Sequence, residues 1–166
     1  MVLFLGGARS GKSRLAQERA EAFGGELVYV ATGEGLDEEM KERIAKHRAD
    51  RGARWRTVEA PLELVDVIQR ESGPGRVLLV DCLTLWLSNV MLGGHDVSAA
   101  TARLLDSLGA ARGTVLMVSN EVGMGIVPEN ALARRFRDEA GWLNQRVASV
   151  AHEVVLVAAG LPLRIK

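Results

Sequence analysis

Apolar residues cluster in short runs at residues 2–5 (VLFL), 27–31, 77–80, 114–119 and 154–158, separated by polar-rich stretches with helical spacing. Within each run the apolar character is continuous and does not alternate. Strands buried on both faces show this pattern, and regular exchange of such strands with helices builds a parallel sheet covered on both sides. A shorter strand ends at Glu59, four residues after Trp55. The segment LPLRIK follows Gly160 too closely for a crossover helix, so it predicts an antiparallel edge strand. The stretches ESGPG (71–75) and LGGH (92–95) are connecting loops, and no repeat, low-complexity tract or linker breaks the chain. Its 166 residues therefore predict one domain, 1–166.

Three stretches between the strands carry more than their helical period. In residues 36–51 the apolar stripe Leu36, Met40, Ile44 continues at helical spacing to His47 and Arg51, while Asp37, Glu38, Lys41, Glu42 and Arg48 form the opposite, solvated face. His47 thus stands where a hydrophobe is expected. The stretch DCLTLWLSNVML is apolar on nearly every side, more than one sheet face needs, and predicts a subunit interface around Trp86. After the loop SNEVGMGIVPEN, the stripe Leu132, Phe136, Ala140, Leu143 and Val147 predicts a helix with those residues in the core. Phe136 and Trp142 need no cofactor role, and Asn144 and Gln145, beside the stripe, are either site-edge hydrogen-bonding groups or solvated. The loop itself, with two glycines and a proline between strand and helix, is a surface crossing suited to contact a substrate, or else a plain connection.

The chemistry enters at GGARSGKS. Gly6, four residues, then Gly11, Lys12 and Ser13 match the phosphate-loop pattern, with a strand before it and the helix-forming SRLAQERAEAF after it. Backbone N–H groups of Gly6, Gly7, Ala8, Arg9, Ser10 and Gly11 can converge on phosphate oxygens, the helix start adds partial positive charge, Lys12 reaches the outer phosphates and Ser13 can ligate Mg²⁺. The alternative, a glycine-rich strand-to-helix turn without a ligand, leaves Lys12 and Ser13 unexplained. Asp81 ends the apolar strand RVLLVD and either joins that Mg²⁺ shell or caps the next helix. The expected fold is α/β, a P-loop (RecA-like) nucleotide-binding domain whose mostly parallel sheet is flanked by helices. In that setting His47 is either a satisfied core histidine or a nucleophile: neighbouring cations disfavour its imidazolium, and Arg48 and Arg51 could hold a departing pyrophosphate. His95 lies in a glycine loop and His152 at a helix end, and neither has such a setting.

Charge narrows the partners. Lys plus Arg equals Asp plus Glu, 21 against 21, so no global positive field favours nucleic acid or an anionic membrane. A single cysteine, Cys82, excludes internal disulfides and fits a reducing compartment, with the thiol acting as a small buried hydrophobe. The opening MVLFL is too short for a secretion signal, and no apolar run has the ~20 residues of a membrane helix, so a cytoplasmic protein is expected.

The combination of GGARSGKS, KHRADRGARWRTVEAP, VDCLTLWLSN and SNEVGMGIVPENALARRFRDEAGWLNQRVA resembles, nearly end to end, the bifunctional adenosylcobinamide kinase and adenosylcobinamide-phosphate guanylyltransferase family of cobalamin synthesis. The resemblance implies two reactions. A nucleotide, ATP or GTP, phosphorylates the aminopropanol hydroxyl of adenosylcobinamide, and GTP then donates GMP to that phosphate through a guanylylated histidine, which falls on His47. It also implies nucleotide contacts at Gly6 to Ser13, at Ala31, Thr32 and Gly33, at Arg48, Ala49, Asp50 and Arg51, at Glu59 and at Asp81, with Mg²⁺ on Ser13 and Asp81, and a homotrimer. From the residues alone Glu59 reads equally as a surface acid before the helix in APLELVDVIQR. Two other functions fit the phosphate loop: a RecA-like ATPase or switch module with a structural histidine, and a small-molecule kinase alone.

Overall fold

The computed structural model describes residues 1–33 and 52–166. Among them the apolar runs become β1 (Val2–Gly6), β2 (Glu26–Ala31), β3 (Trp55–Glu59), β4 (Arg76–Asp81), β5 (Thr114–Asn120), β6 (Glu153–Ala158) and β7 (Leu161–Arg164). Between them lie helices α1 (Lys12–Phe23), α2 (Leu64–Glu71), α3 (Leu83–Leu92), α4 (Val97–Ala110) and α5 (Ala131–Val150). The strands form one sheet in the order β3-β2-β4-β5-β1-β6-β7, parallel throughout except for the antiparallel β6–β7 pair. The helix expected over residues 36–51, with His47, lies outside the described residues.

Each strand is apolar on both faces because each face has its own core. Val2, Phe4, Leu79, Leu116 and Val118 pack with Ala16 and Ala20 of α1 on one side. On the other, Leu3, Val28, Leu78, Val80, Val115 and Met117 pack with α2, α3, α4 and α5. Period-two alternation therefore assigns every strand residue to the α1 face or to the opposite face. Asp96 and Asn130 start α4 and α5 by accepting hydrogen bonds from Ala99 and Ala133 backbone N–H, each at 3.1 Å.

Two packing expectations are corrected. Trp86, expected at a subunit interface, is buried within the protomer together with Leu83, Leu87 and Val90, where α4, α5 and the sheet pack against the helix, so these side chains need no neighbouring subunit to cover them. Leu132, placed in the core by its spacing, is exposed, because α5 has only just begun there and the sheet lies further along.

At the amino-terminal rim of the sheet, the buried Glu71 carboxylate accepts hydrogen bonds from Arg56 at 2.6 Å, Arg70 at 3.2 Å and Arg76 at 3.4 Å, and these arginines hold its pKa below the ordinary glutamate range, with Arg56 contributing most. Trp55 is a structural anchor beside it, donating from Nε1 to Glu21 at 2.9 Å and meeting Tyr29 edge-on.

Candidate active site

The chain leaves β1 at Gly6 and enters α1 at Lys12 through a tightly turned loop. A Cβ at Gly6 would fall 2.5 Å from both the Ser10 hydroxyl and the Val157 carbonyl, so only glycine fits. Gly11 has φ +94°, a conformation that disfavours any side chain, and Arg9 also adopts positive φ. The loop is pinned from three directions. Ser10 N–H donates to Gly7 O at 3.2 Å, Glu121 N–H to Gly6 O at 3.0 Å, and Gly160 N–H, at the turn between β6 and β7, to Ser10 O at 2.8 Å.

No side chain caps the first turn of α1, so its backbone N–H groups face the concavity with the helix dipole behind them. Lys12 is buried and donates from Nζ to Gly7 O at 3.0 Å. Ser10 Oγ is buried without a hydrogen-bond partner among the described residues. A buried orphan hydroxyl, a buried ammonium and uncapped amides at one spot fit a phosphate group.

The other expected residues line the same carboxyl rim. Asp81 pairs in register with Ala31 on one side and Val118 on the other, while Gly6 pairs with Asn120 and Ala31 with Glu59. Alternation places Glu59, Ala31, Asp81 and Asn120 all on the α1 face, because Tyr29, Leu79 and Val118, two residues earlier in their strands, and Trp55, four residues earlier in β3, belong to that core. Measured across the sheet, Asp81 stands two strand spacings from Gly6, ~10 Å, and Glu59 four, ~19 Å, both two residues further back along the strand direction. Asp81 does not cap α3, whose N-cap is Cys82 with no side-chain bond, and Glu59 ends β3 well before α2. His47, Arg48, Ala49, Asp50 and Arg51 lie outside the described residues.

Thr32 has a different character from the loop residues. Fully buried, its hydroxyl donates to Cys82 O and accepts from Cys82 N–H, both at 2.7 Å, and its own N–H donates to Asp81 O at 3.3 Å. The Asp81–Cys82 peptide is cis. Asn89 of α3 donates to Thr32 O at 2.9 Å and to Pro61 O at 3.0 Å. The Thr32 side chain thus holds the peptide that follows Asp81. Burial pushes the Cys82 thiol up to about 11, with Asp81 adding to the shift, so it stays neutral and unreactive.

Asn120 was not singled out from the sequence, yet its backbone is held on both sides. Its N–H donates to Thr84 Oγ1 at 2.6 Å and its carbonyl accepts from Asn144 Nδ2 at 3.2 Å. Ser119, pointing to the opposite face, donates to Asn144 Oδ1 at 2.7 Å and lies 3.2 Å from the Thr84 hydroxyl. Asn144 is therefore buried in this network and not solvated. A polar pair ending an otherwise apolar strand, VLMVSN, was the available signal.

Comparison with known proteins agrees with this geometry. Residues 2–165 match the family described as cobinamide kinase / cobinamide phosphate guanyltransferase. The chain is 49% identical to the bifunctional adenosylcobalamin biosynthesis protein CobP of Pseudomonas aeruginosa, over 99% of this chain and 96% of the relative. It is 43% identical to CobU of Salmonella typhimurium and 41% identical to CobU of Escherichia coli K12, each over 100% of this chain and 99% of the relative. Among solved structures, the type III secretion ATPase EscN of enteropathogenic E. coli superposes with TM-score 0.54 over 95% of this chain and 42% of that one; at 12% identity it shares the fold alone.

Proposed function

Since the chain belongs to the cobinamide kinase / cobinamide phosphate guanyltransferase family and is a bifunctional enzyme of that kind, we propose that its phosphate loop and the carboxyl rim of its sheet bind the nucleotide for the two transfers. The observation that carries this is the loop centre: the buried, unpartnered Ser10 hydroxyl beside the buried Lys12 ammonium and the uncapped start of α1. In the kinase step the acceptor hydroxyl attacks the terminal phosphorus, the bridging P–O bond breaks, the nucleoside diphosphate leaves and the hydroxyl proton passes to solvent. Lys12 and the loop amides hold the outer phosphates as charge develops on them. Asn120, whose strand position lies on the same face beside Gly6, would offer its carboxamide to the terminal phosphate. With phosphates on the loop, Glu59 is too distant to touch them and meets the ribose or the base.

Mg²⁺ suits the donor set. Among the described residues no three His, Cys, Asp or Glu cluster, so Ser13 and Asp81 would hold it together with nucleotide phosphates and water, the way this ion is usually bound. When present it neutralises phosphate charge. In the second transfer His47 nitrogen displaces pyrophosphate from the α-phosphorus of GTP, and the acceptor's phosphate oxygen then displaces the histidine, giving adenosylcobinamide-GDP. Arg48 and Arg51 hold the leaving pyrophosphate. The resemblance supports a cytoplasmic homotrimer. No described helix is long and apolar enough to cross a membrane.

The test is incubation with Mg²⁺ and α-phosphate-labelled GTP without corrinoid, then denaturation and counting of label on the chain. Acid-labile label, released pyrophosphate and loss of label in His47→Ala, with phosphorylation of cobinamide retained, is the expected result. Unlabelled protein that still binds GTP would leave a kinase or a switch. Lys12→Ala should lose both activities.

A further inference from the structure

We propose that the crest of the loop between β5 and α5, formed by Met124, Ile126 and Val127, is the platform on which the corrin macrocycle of the acceptor rests. This deepens the functional reading above and stands on it. Met124 is 82% exposed, Ile126 98% and Val127 60%, an apolar group that soluble proteins seldom display unless something covers it.

The loop holds these side chains outward by construction. At its first foot, Glu121 N–H donates to Gly6 O at 3.0 Å and Glu121 Oε1 accepts from Gly123 N–H at 2.6 Å, while Val122 packs against the core. At the other foot, Arg134 donates to Pro128 O at 3.0 Å and Glu129 O at 2.6 Å, and Asn130 caps α5. The crest therefore rises from the very residue bonded to the phosphate loop. An acceptor hydroxyl that reaches the terminal phosphate must leave its bulky, partly apolar ring just outside that mouth, where the crest stands.

A second apolar stripe, Leu161, Leu163 and Ile165, is not a competing platform. Leu163 pairs with Leu156, and Leu161 with Ala158, on the face shared with Val154, which belongs to the α5-side core. That stripe faces away from Lys12, Asp81 and Asn120.

The experiment is steady-state phosphorylation of adenosylcobinamide by the full chain and by Met124→Ser/Ile126→Ser, with GTP affinity by direct titration and particle mass by light scattering. The expected result is a KM for cobinamide raised about tenfold, the size of effect that losing burial of such side chains gives, with kcat and GTP affinity within about twofold and mass unchanged. Ile126→Leu should restore the wild-type KM. An unchanged KM overturns the proposal. So does a change in mass, which would make the crest a contact between copies, and so does a parallel loss of GTP affinity, which would make it part of the nucleotide site. A wild-type chain that binds GTP but never phosphorylates cobinamide would sink the functional reading itself, and the platform with it.

Discussion

Replacing Thr32 with valine keeps shape and burial while deleting one hydroxyl. In the folded protein that hydroxyl serves both polar atoms of Cys82, at 2.7 Å each. The Cys82 carbonyl keeps a second donor, Trp86 N–H at 3.2 Å, whereas the Cys82 N–H is left without a partner in a buried place. An orphaned buried N–H costs about 1–3 kcal/mol and the second lost bond about 1, so Thr32→Val should destabilise by about 2–4 kcal/mol. Against a total of about 5–15 kcal/mol this is a large fraction. Urea denaturation at fixed protein concentration reads it as a midpoint lowered by about 1–2 M, taking a slope near 2 kcal/mol per M. Thr32→Ser retains the hydroxyl and loses only a buried methyl, about 1 kcal/mol. Because Cys82 follows Asp81, the valine variant should also bind Mg²⁺-GTP more weakly, and the serine variant should not. A valine variant as stable as the serine one would refute the reasoning, since it would mean that the Cys82 N–H gains nothing from Thr32.

Other predictions address the site and its supports. Asn120→Ala should lower kcat for cobinamide phosphorylation at least tenfold with little change in urea midpoint, because its side chain, unlike its backbone, takes no part in the buried network; an unaltered kcat removes it from the phosphate site. Gly11→Ala adds a Cβ at positive φ, 3.2 Å from the Gly160 Cα, and should cost about 1–3 kcal/mol in urea together with most GTP affinity. The depressed Glu71 pKa makes its contribution to stability full above the ordinary glutamate range and progressively lost as pH falls through and below it; Glu71→Gln should be less stable at neutral pH and should flatten that acid limb of the stability–pH curve. Native Cys82 should resist thiol alkylation at neutral pH and react only after unfolding.

Much of this architecture was legible because apolar runs without alternation can only be strands covered on both sides, and because GGARSGKS sits where a strand must hand over to a helix. The antiparallel β7 followed from chain length alone. What escaped was lateral. Nothing along the chain says that β5 inserts between β1 and β4, and so nothing says that Asn120 stands between Gly6 and Asp81. The cover over Trp86 escaped for the same reason: periodicity counts how many faces of a helix are apolar, and gives no hint that α4, α5 and the sheet bury that side chain within the protomer. The bond from the Thr32 hydroxyl to Cys82 spans fifty residues, a separation no local pattern reports.

The hydrogen bond from Gly160 N–H to Ser10 O joins the turn before β7 to the first loop of the chain. During synthesis, then, the nucleotide motif leaves the ribosome some 150 residues before Gly160, yet it is finished only once that residue is in place. A nascent chain stopped anywhere before residue 160 would carry a complete phosphate-loop signature and an incomplete phosphate site. Nucleotide capture would therefore report on whole-chain folding, and GTP supplied to cells or to a refolding mixture should act as a late-stage chaperone for this protein, rescuing chains that have already closed the hairpin and leaving earlier intermediates untouched.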